Sequence, residues 1–296
     1  MSVKPALNIT LVDGGMGQEL IRRSGQEPTP LWSARILLDR PELVLDLHKD
    51  FIYAGAELIV LNNYTATPER LKREASIDLF KPIHKAAIEV AHAARKAAGR
   101  EVKIAGCLPP IMASYKAELA PSFEDCLASY RELVAVQKQG VDMFICETLS
   151  TIREAKAAVI AAKETGLPVW VSFTLDDSAP AQLRSGEDLS TAISEVAALG
   201  AAAILANCSM PETMDKALPL LVKGFDNVGA YANGFQSIAA LDAGGTVAGL
   251  KAREDLTPQR YADYAMGWAR MGAKIIGGCC EVGPDHIAEI NRRLTG

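Results

Sequence analysis

Two cysteines stand side by side in Gly277-Gly278-Cys279-Cys280, and a third lies in Ala206-Asn207-Cys208-Ser209. Each set closes a run of apolar residues that reads as a β-strand. Three sulfur ligands at strand ends form a donor set for zinc, and a zinc ion held by three protein ligands keeps a fourth position open for chemistry. That arrangement points to an enzyme acting on sulfur.

A Gly-Gly turn before two small buried residues would equally suit a phosphate-binding loop after the last strand of a barrel. Cys208, at the matching end of another strand, favours the metal. The other three cysteines, Cys107, Cys126 and Cys146, fall in strand-like or helical runs and are expected to pack as small hydrophobes. No Cys-x-x-Cys pair and no His-x-x-x-His pair exists, so a closed structural zinc site is disfavoured. His48, His84, His92 and His286 all lie in helical patterns and are not expected to be ligands.

The elements that must position these residues follow from periodicity. Short β-rich runs at 9–13, 58–62, 102–107, 143–147, 169–174, 202–207, 228–233 and 274–278 alternate with amphipathic helical segments, the signature of parallel βα units. Ser122 ahead of a helix at 123–139 with Gly140 behind it, and a helix at 154–163 before Gly166 and Pro168, supply start and stop signals. Eight such units in 296 residues predict an α/β fold, a single (β/α)8 TIM barrel in one domain spanning residues 1–296. Barrel enzymes gather their active residues at the carboxyl ends of strands. Asp13, Asn62, Asn63, Glu147, Asn207, Cys208, Asn233, Cys279 and Cys280 all fall there. Taken alone, Asp13 also fits a turn-capping role and Glu147 a solvent-facing strand end.

Composition removes other classes. A net charge of −5 without a long Lys or Arg run gives no footprint for nucleic acid or an anionic membrane. Hydrophobic residues at 49% and charged residues at 23% are those of a folded globular chain. The N-terminal Met1-Ser2-Val3-Lys4-Pro5 lacks a signal-peptide pattern, and the longest apolar stretch is too short to span a bilayer, so a cytoplasmic location is the default expectation. Six cysteines without a short-spaced framework argue against a disulfide scaffold. The expected partners are small molecules, and a homo-oligomer is left open.

From about Thr10 to the C-terminus the chain resembles the zinc-dependent homocysteine S-methyltransferases. The resemblance rests on Val12-Asp13-Gly14-Gly15-Met16-Gly17, Leu31-Trp32-Ser33-Ala34, Ala54-Gly55-Ala56, Ser114-Tyr115, Cys146-Glu147-Thr148, Asn207-Cys208 and Gly277-Gly278-Cys279-Cys280. It implies that Cys208, Cys279 and Cys280 ligate Zn2+ and that Asp13 and Glu147 bind the amino group of homocysteine. Gly14 and Gly15 would bring backbone close to the substrate, with N–H groups there for its carboxylate. Asn207 and Asn233 join the candidate substrate contacts.

Homocysteine bound to zinc is a thiolate at neutral pH, and no cobalamin or folate module is present, so an onium methyl donor is expected. Methyl transfer would give methionine. S-methylmethionine is the favoured donor, and Trp32 is the leading candidate for an aromatic contact to its cation, with Tyr64 and Phe235 as further candidates. The chain departs from the family at Leu61-Asn62-Asn63-Tyr64, where Thr is frequent, and at Ala232, where Pro is frequent. Both departures are expected to touch the donor pocket, so S-adenosylmethionine, betaine and dimethylsulfoniopropionate stand as alternative donors, and selenocysteine as an alternative acceptor. The irregular segment 234–255 is expected to form a loop over the site. Two other readings remain: a Schiff-base lyase, which lacks a lysine late in a strand, Lys103 and Lys274 lying at strand starts, and a non-catalytic zinc or redox-sensing barrel using Cys279 and Cys280.

Overall fold

The computed structural model describes residues 8–27, 29, 31, 33–238 and 250–296. Eight parallel strands are formed: β1 (Thr10–Leu11), β2 (Leu58–Val60), β3 (Lys103–Leu108), β4 (Met143–Leu149), β5 (Val169–Phe173), β6 (Ala203–Asn207), β7 (Val228–Tyr231) and β8 (Ile275–Ile276). Each pairs with its sequence neighbour, and β1 pairs with β8. Closure between β1 and β2 runs through a Val12–Leu58 bridge and through the N–H groups of Glu57 and Asp13, which donate to Leu11 O at 2.7 Å and Leu58 O at 3.0 Å. The result is the expected (β/α)8 barrel.

Its core has two layers. Strand residues facing outward pack against the ring of helices, whereas Val12, Leu58, Ala105, Ile145, Leu205 and Ile275 fill the barrel interior. The interior is therefore packed rather than a pore. Truncating a fully buried side chain there, such as Ile145, to Ala would cost about 2–5 kcal/mol. With the barrel floor filled, open volume is left only above the strand ends.

Most strands are a little shorter than the sequence expectation, and three of the boundary differences have a local reason. β8 stops at Ile276 because Gly277 and Gly278 are pressed against β1 and its loop: a Cβ on Gly277 would lie 2.8 Å from Val12 Cβ, and one on Gly278 2.2 Å from Val282 Cγ1. Space, not a left-handed backbone, is what these two glycines supply. β4 runs on to Leu149 through a register shift after Cys146, with Thr148 at φ 62°. The helix expected at 154–163 begins earlier, at Ile152, because Thr151 caps it by accepting the Glu154 N–H at 3.1 Å. Ser122 caps the helix Phe123–Gln137 as expected.

Among the described residues, no helix is long and apolar enough to cross a membrane. Lys103 and Lys274 are exposed at the amino ends of β3 and β8, away from the carboxyl ends of the strands.

Candidate active site

Cys208 follows the last residue of β6, and Cys279 and Cys280 follow the Gly-Gly turn after β8. All three are free cysteines whose sulfurs lie within 4.8 Å of one another. The Cys208 and Cys280 sulfurs are 3.8 Å apart, and those of Cys208 and Cys279 2.7 Å. An edge of about 3.8 Å is what a tetrahedral zinc with Zn–S bonds of about 2.3 Å requires, which the Cys208–Cys280 pair meets and to which the closer Cys208–Cys279 pair would have to open. Burial alone would raise the Cys208 pKa, but hydrogen bonds from Cys279, Cys280 and Tyr115 outweigh it and hold this thiol well below its usual range. The same contact to Cys208 pushes Cys279 and Cys280 up. Three buried thiolates this close repel one another, and a divalent cation between them is what would let all three ionise. The donor set thus fits zinc.

The backbone is bent to make this cluster. Cys208 is at φ 51°, and the other left-handed residues that are not glycine, Tyr115, Thr148 and Glu281, all lie in the segments around it. Such conformations cost of order 1–3 kcal/mol each and persist where surrounding structure fixes them. Here the Cys208 N–H donates to Tyr231 O at 3.2 Å, and its carbonyl accepts from Thr174 Oγ1 at 3.2 Å. The Tyr115 hydroxyl reaches the Cys208 sulfur at 2.9 Å.

Beside the sulfurs lies a cavity of about 210 Å³ whose wall includes Asp13, Glu147, Cys208, Cys279 and Cys280. Asp13 ends β1 and accepts the Val60 N–H at 2.9 Å. Glu147, in β4, accepts from the Cys107 thiol at 3.0 Å and from the Tyr231 hydroxyl at 3.3 Å. Burial pushes the Glu147 carboxyl up to about 7, against those two hydrogen bonds. Burial also raises Asp13 well above the usual carboxylate range, and the Glu147 charge adds to this. Two desolvated carboxyl groups on one wall are a receptor for a cation, which would restore both to their charged forms.

Other expected contacts sit differently. Asn207 does not reach the cavity: its amide bonds Thr148 at N–H and hydroxyl, at 2.9 and 2.8 Å, and the Ser172 hydroxyl at 2.8 Å. It ties β6 to the bulge of β4 and thereby positions Cys208 and Glu147. Asn233 is also buried behind the wall, where its Oδ1 accepts the Phe235 N–H at 3.2 Å. Gly14 and Gly15 line the cavity, but the Gly15 N–H is taken by Val282 O at 2.9 Å and is not open to a substrate carboxylate. A Cβ on Gly14 would fall 2.1 Å from Val282 O, and one on Gly15 2.4 Å from Cys279 O. These glycines let the β8 turn close onto β1.

Trp32 lies outside the described residues. Tyr64 and Phe235 both line the cavity; Tyr64 is fixed by a 2.8 Å hydrogen bond to Ser114, and Phe235 packs on Cys208 and Cys280. Of the two departures from the family, Asn62 lines the cavity and is bound to Ser33 at 2.7 Å. Ala232 does not reach it. Instead the N–H that proline would lack is bonded by the Tyr261 hydroxyl at 3.0 Å, so that change belongs to the framework. Of the segment 234–255, residues 239–249 lie outside the described residues. Its two feet are joined by a Phe235–Ala252 bridge, and Phe235 and Leu250 place both of them on the cavity wall.

Several residues that shape the site carried no chemical assignment in the sequence. Cys107 packs as expected, yet its thiol holds Glu147. Tyr115 and Tyr231 aim their hydroxyls at Cys208 and Glu147, and Arg70 enters the cavity wall from the helix Pro68–Glu74. The four histidines are absent from the wall, as expected.

The chain is similar to known proteins along almost its whole length. Residues 10–294 match the family model described as homocysteine S-methyltransferase. Homocysteine S-methyltransferase of Escherichia coli is 30% identical over 97% of this chain and 95% of its own, and homocysteine S-methyltransferase 1 of Arabidopsis thaliana is 29% identical over 99% and 95%. The structure of the homocysteine methyltransferase MmuM from Escherichia coli, metallated form, superposes with a TM-score of 0.81 at 28% identity, covering 97% of this chain and 96% of that one. A match through all eight strands and both cysteine elements settles the family: the chain belongs to the homocysteine S-methyltransferases.

Proposed function

We propose that this enzyme transfers a methyl group from an onium donor, S-methylmethionine in the first place, to the sulfur of homocysteine, giving methionine. The observation that carries the reading is one cavity wall bearing three clustered sulfurs beside two buried carboxyl groups. Zinc held by Cys208, Cys279 and Cys280 would supply the Lewis acidity that turns a bound thiol into a thiolate at neutral pH. That removes the need for a histidine base.

The chain's own residues do the rest. Asp13 and Glu147 receive the amino group of homocysteine, and their distance from the sulfurs sets how far the amino acid extends across the cavity. Cys107 and Tyr231 hold the Glu147 carboxylate on the cavity wall, one bonding each oxygen. Phe235, packed on Cys208 and Cys280, keeps water from the sulfurs. Attack of a thiolate on a methyl-sulfonium cancels charge as a neutral thioether leaves, so a dry site that holds the pair in line favours it.

The test is methionine formation from homocysteine and methyl-labelled S-methylmethionine by the reduced, zinc-loaded protein, followed by mass spectrometry. Labelled methionine is expected. Label transfer from betaine instead would move the donor within the family, whereas absence of homocysteine binding would overturn the reading in favour of a non-catalytic zinc-binding barrel.

A further inference from the structure

The cavity wall carries basic as well as acidic side chains, and the acceptor reading uses only the acidic ones. Arg70 projects from the helix Pro68–Glu74, whose first turn is held by Thr67: its hydroxyl accepts the Arg70 N–H at 3.2 Å and donates to Ile111 O at 2.8 Å. Arg70 is only 8% exposed and forms part of the cavity wall. Its Nη2 donates to Pro110 O at 3.0 Å, its guanidinium lies 5.5 Å over the Tyr64 ring, and its Nε has no partner.

What is missing is an anion. Among the described residues no carboxylate ion-pairs with Arg70. Glu154, the nearest in charge influence, spends its Oε1 on the Ile111 N–H at 2.8 Å. Arg73, on the same wall, differs in being already neutralised by Glu74 at 2.5 Å. A buried guanidinium without a counter-ion is costly, and it is repaid where a ligand brings the negative charge. Arginine presents a planar fork matched to a carboxylate.

Resting on the methyl-transfer reading, we propose that Arg70 receives the carboxylate of the methyl donor, so that the enzyme selects onium donors that are zwitterions. The positive end of such a donor points to the sulfurs and its negative end to Arg70. A donor without a carboxylate would bring only positive charge to a wall that already holds an unpaired cation. The rings of Tyr64 and Tyr115 each have a guanidinium over them, which leaves the methyl-bearing centre to Phe235.

The test compares methyl-labelled S-methylmethionine with its carboxamide, which keeps the sulfonium and loses the negative charge, on the reduced zinc-loaded full chain. The native enzyme is expected to prefer the acid by about 10- to 100-fold in kcat/KM, the range of one hydrogen-bonded charge. Arg70→Gln should reduce that preference to near unity, chiefly through KM for the acid, and Arg70→Lys should keep part of it. Homocysteine affinity by calorimetry should be unchanged in both. Equal use of acid and amide by the native enzyme, a comparison that needs no variant to fold, would overturn the assignment. So would loss of homocysteine binding in Arg70→Gln, which would make Arg70 an acceptor contact. Methionine formed in no arm would instead sink the parent methyl-transfer reading.

Discussion

The hydroxyl of Tyr115 stands 2.9 Å from the sulfur of Cys208, and both residues hold a left-handed backbone to make that contact. Above the Tyr115 ring, 5.1 Å from its centroid, lies the guanidinium of Arg184, itself anchored to Asp177 at 3.0 Å and to Thr174 Oγ1 at 3.0 Å. Thr174 in turn donates to the Cys208 carbonyl. A closed circuit of contacts therefore fixes the sulfur's direction. Tyr115→Phe keeps the ring and its cation and removes only the hydroxyl. Zinc affinity, read by competition with a chromogenic chelator, is expected to fall about 10-fold, the lower end of what disturbing a ligand's own hydrogen-bond partners costs. Unchanged affinity would show that the hydroxyl does not orient Cys208.

Cys208 is the member of the cysteine cluster that joins β6 to β8, and as a proposed zinc ligand it can be tested directly. Cys208→Ser retains volume and local hydrogen bonding but offers a poor ligand for a borderline-soft metal. The native protein is expected to carry one zinc per chain by elemental analysis, and the variant to lose metal and methyl transfer together. A variant that is metal-free and fully active would remove zinc from the reaction.

Glu147 is held by two neutral donors and no cation, so its charge is left for a ligand. Glu147→Gln should keep zinc bound and weaken homocysteine by about 2–3 kcal/mol, the worth of a hydrogen bond to a charged group. Calorimetry on the zinc-loaded variant reads both. Full homocysteine affinity would take Glu147 out of the amino-group site.

The barrel was legible because parallel βα units repeat a simple alternation, and the three-cysteine cluster because cysteine at a strand end is a rare and chemically narrow choice. The asparagines were less legible: neither Asn207 nor Asn233 lines the cavity, though the Asn207 amide lies 4.0 Å from the Cys279 sulfur. An amide at a strand end satisfies backbone and hydroxyl groups as readily as it binds substrate, and here Asn207 spends its bonds on Thr148 and Ser172. Tyr115, Thr148 and Arg70 were not assigned roles because these depend on where the loops after β2, β3 and β4 turn. A left-handed φ at a tyrosine or threonine leaves no mark in the sequence, unlike one at glycine.

Glu154 supplies a pH effect separable from catalysis. Buried at the start of the helix Ile152–Lys163, it has its pKa raised from 4.5 to about 7 by burial, with the Ile111 N–H and Arg70 opposing. An acid whose folded pKa lies above its unfolded value is deprotonated first in the unfolded chain. Its contribution therefore favours folding less as pH rises from about 4.5 to about 7, then stays constant. Glu154→Gln still accepts the Ile111 N–H and removes this loss, on the order of 3 kcal/mol. Denaturant titrations at pH 5 and pH 8 should show the variant gaining stability relative to native at the higher pH. Equal gains at both would mean that Glu154 ionises normally.

Gly15 carries the last prediction, since its lack of a side chain bears on the metal site from a different strand. A Cβ there would meet Cys279 O at 2.4 Å and Cys280 Cα at 3.0 Å, and both are backbone atoms that cannot swing aside. Gly15→Ala must push the β8 turn away from β1, and with it two of the three proposed zinc ligands. Zinc affinity is expected to fall by about 10-fold or more. Gly267→Ala is the matched control: it lies inside the helix Pro258–Met271 with nothing within 4 Å of the added carbon, so it should leave zinc binding alone and stabilise the helix by about 0.5–1 kcal/mol. If both variants bind zinc as tightly as the native protein, the approach of β8 to β1 does not set the ligand geometry. Loss in Gly15→Ala alone assigns this glycine to the metal site although it contributes no ligand atom.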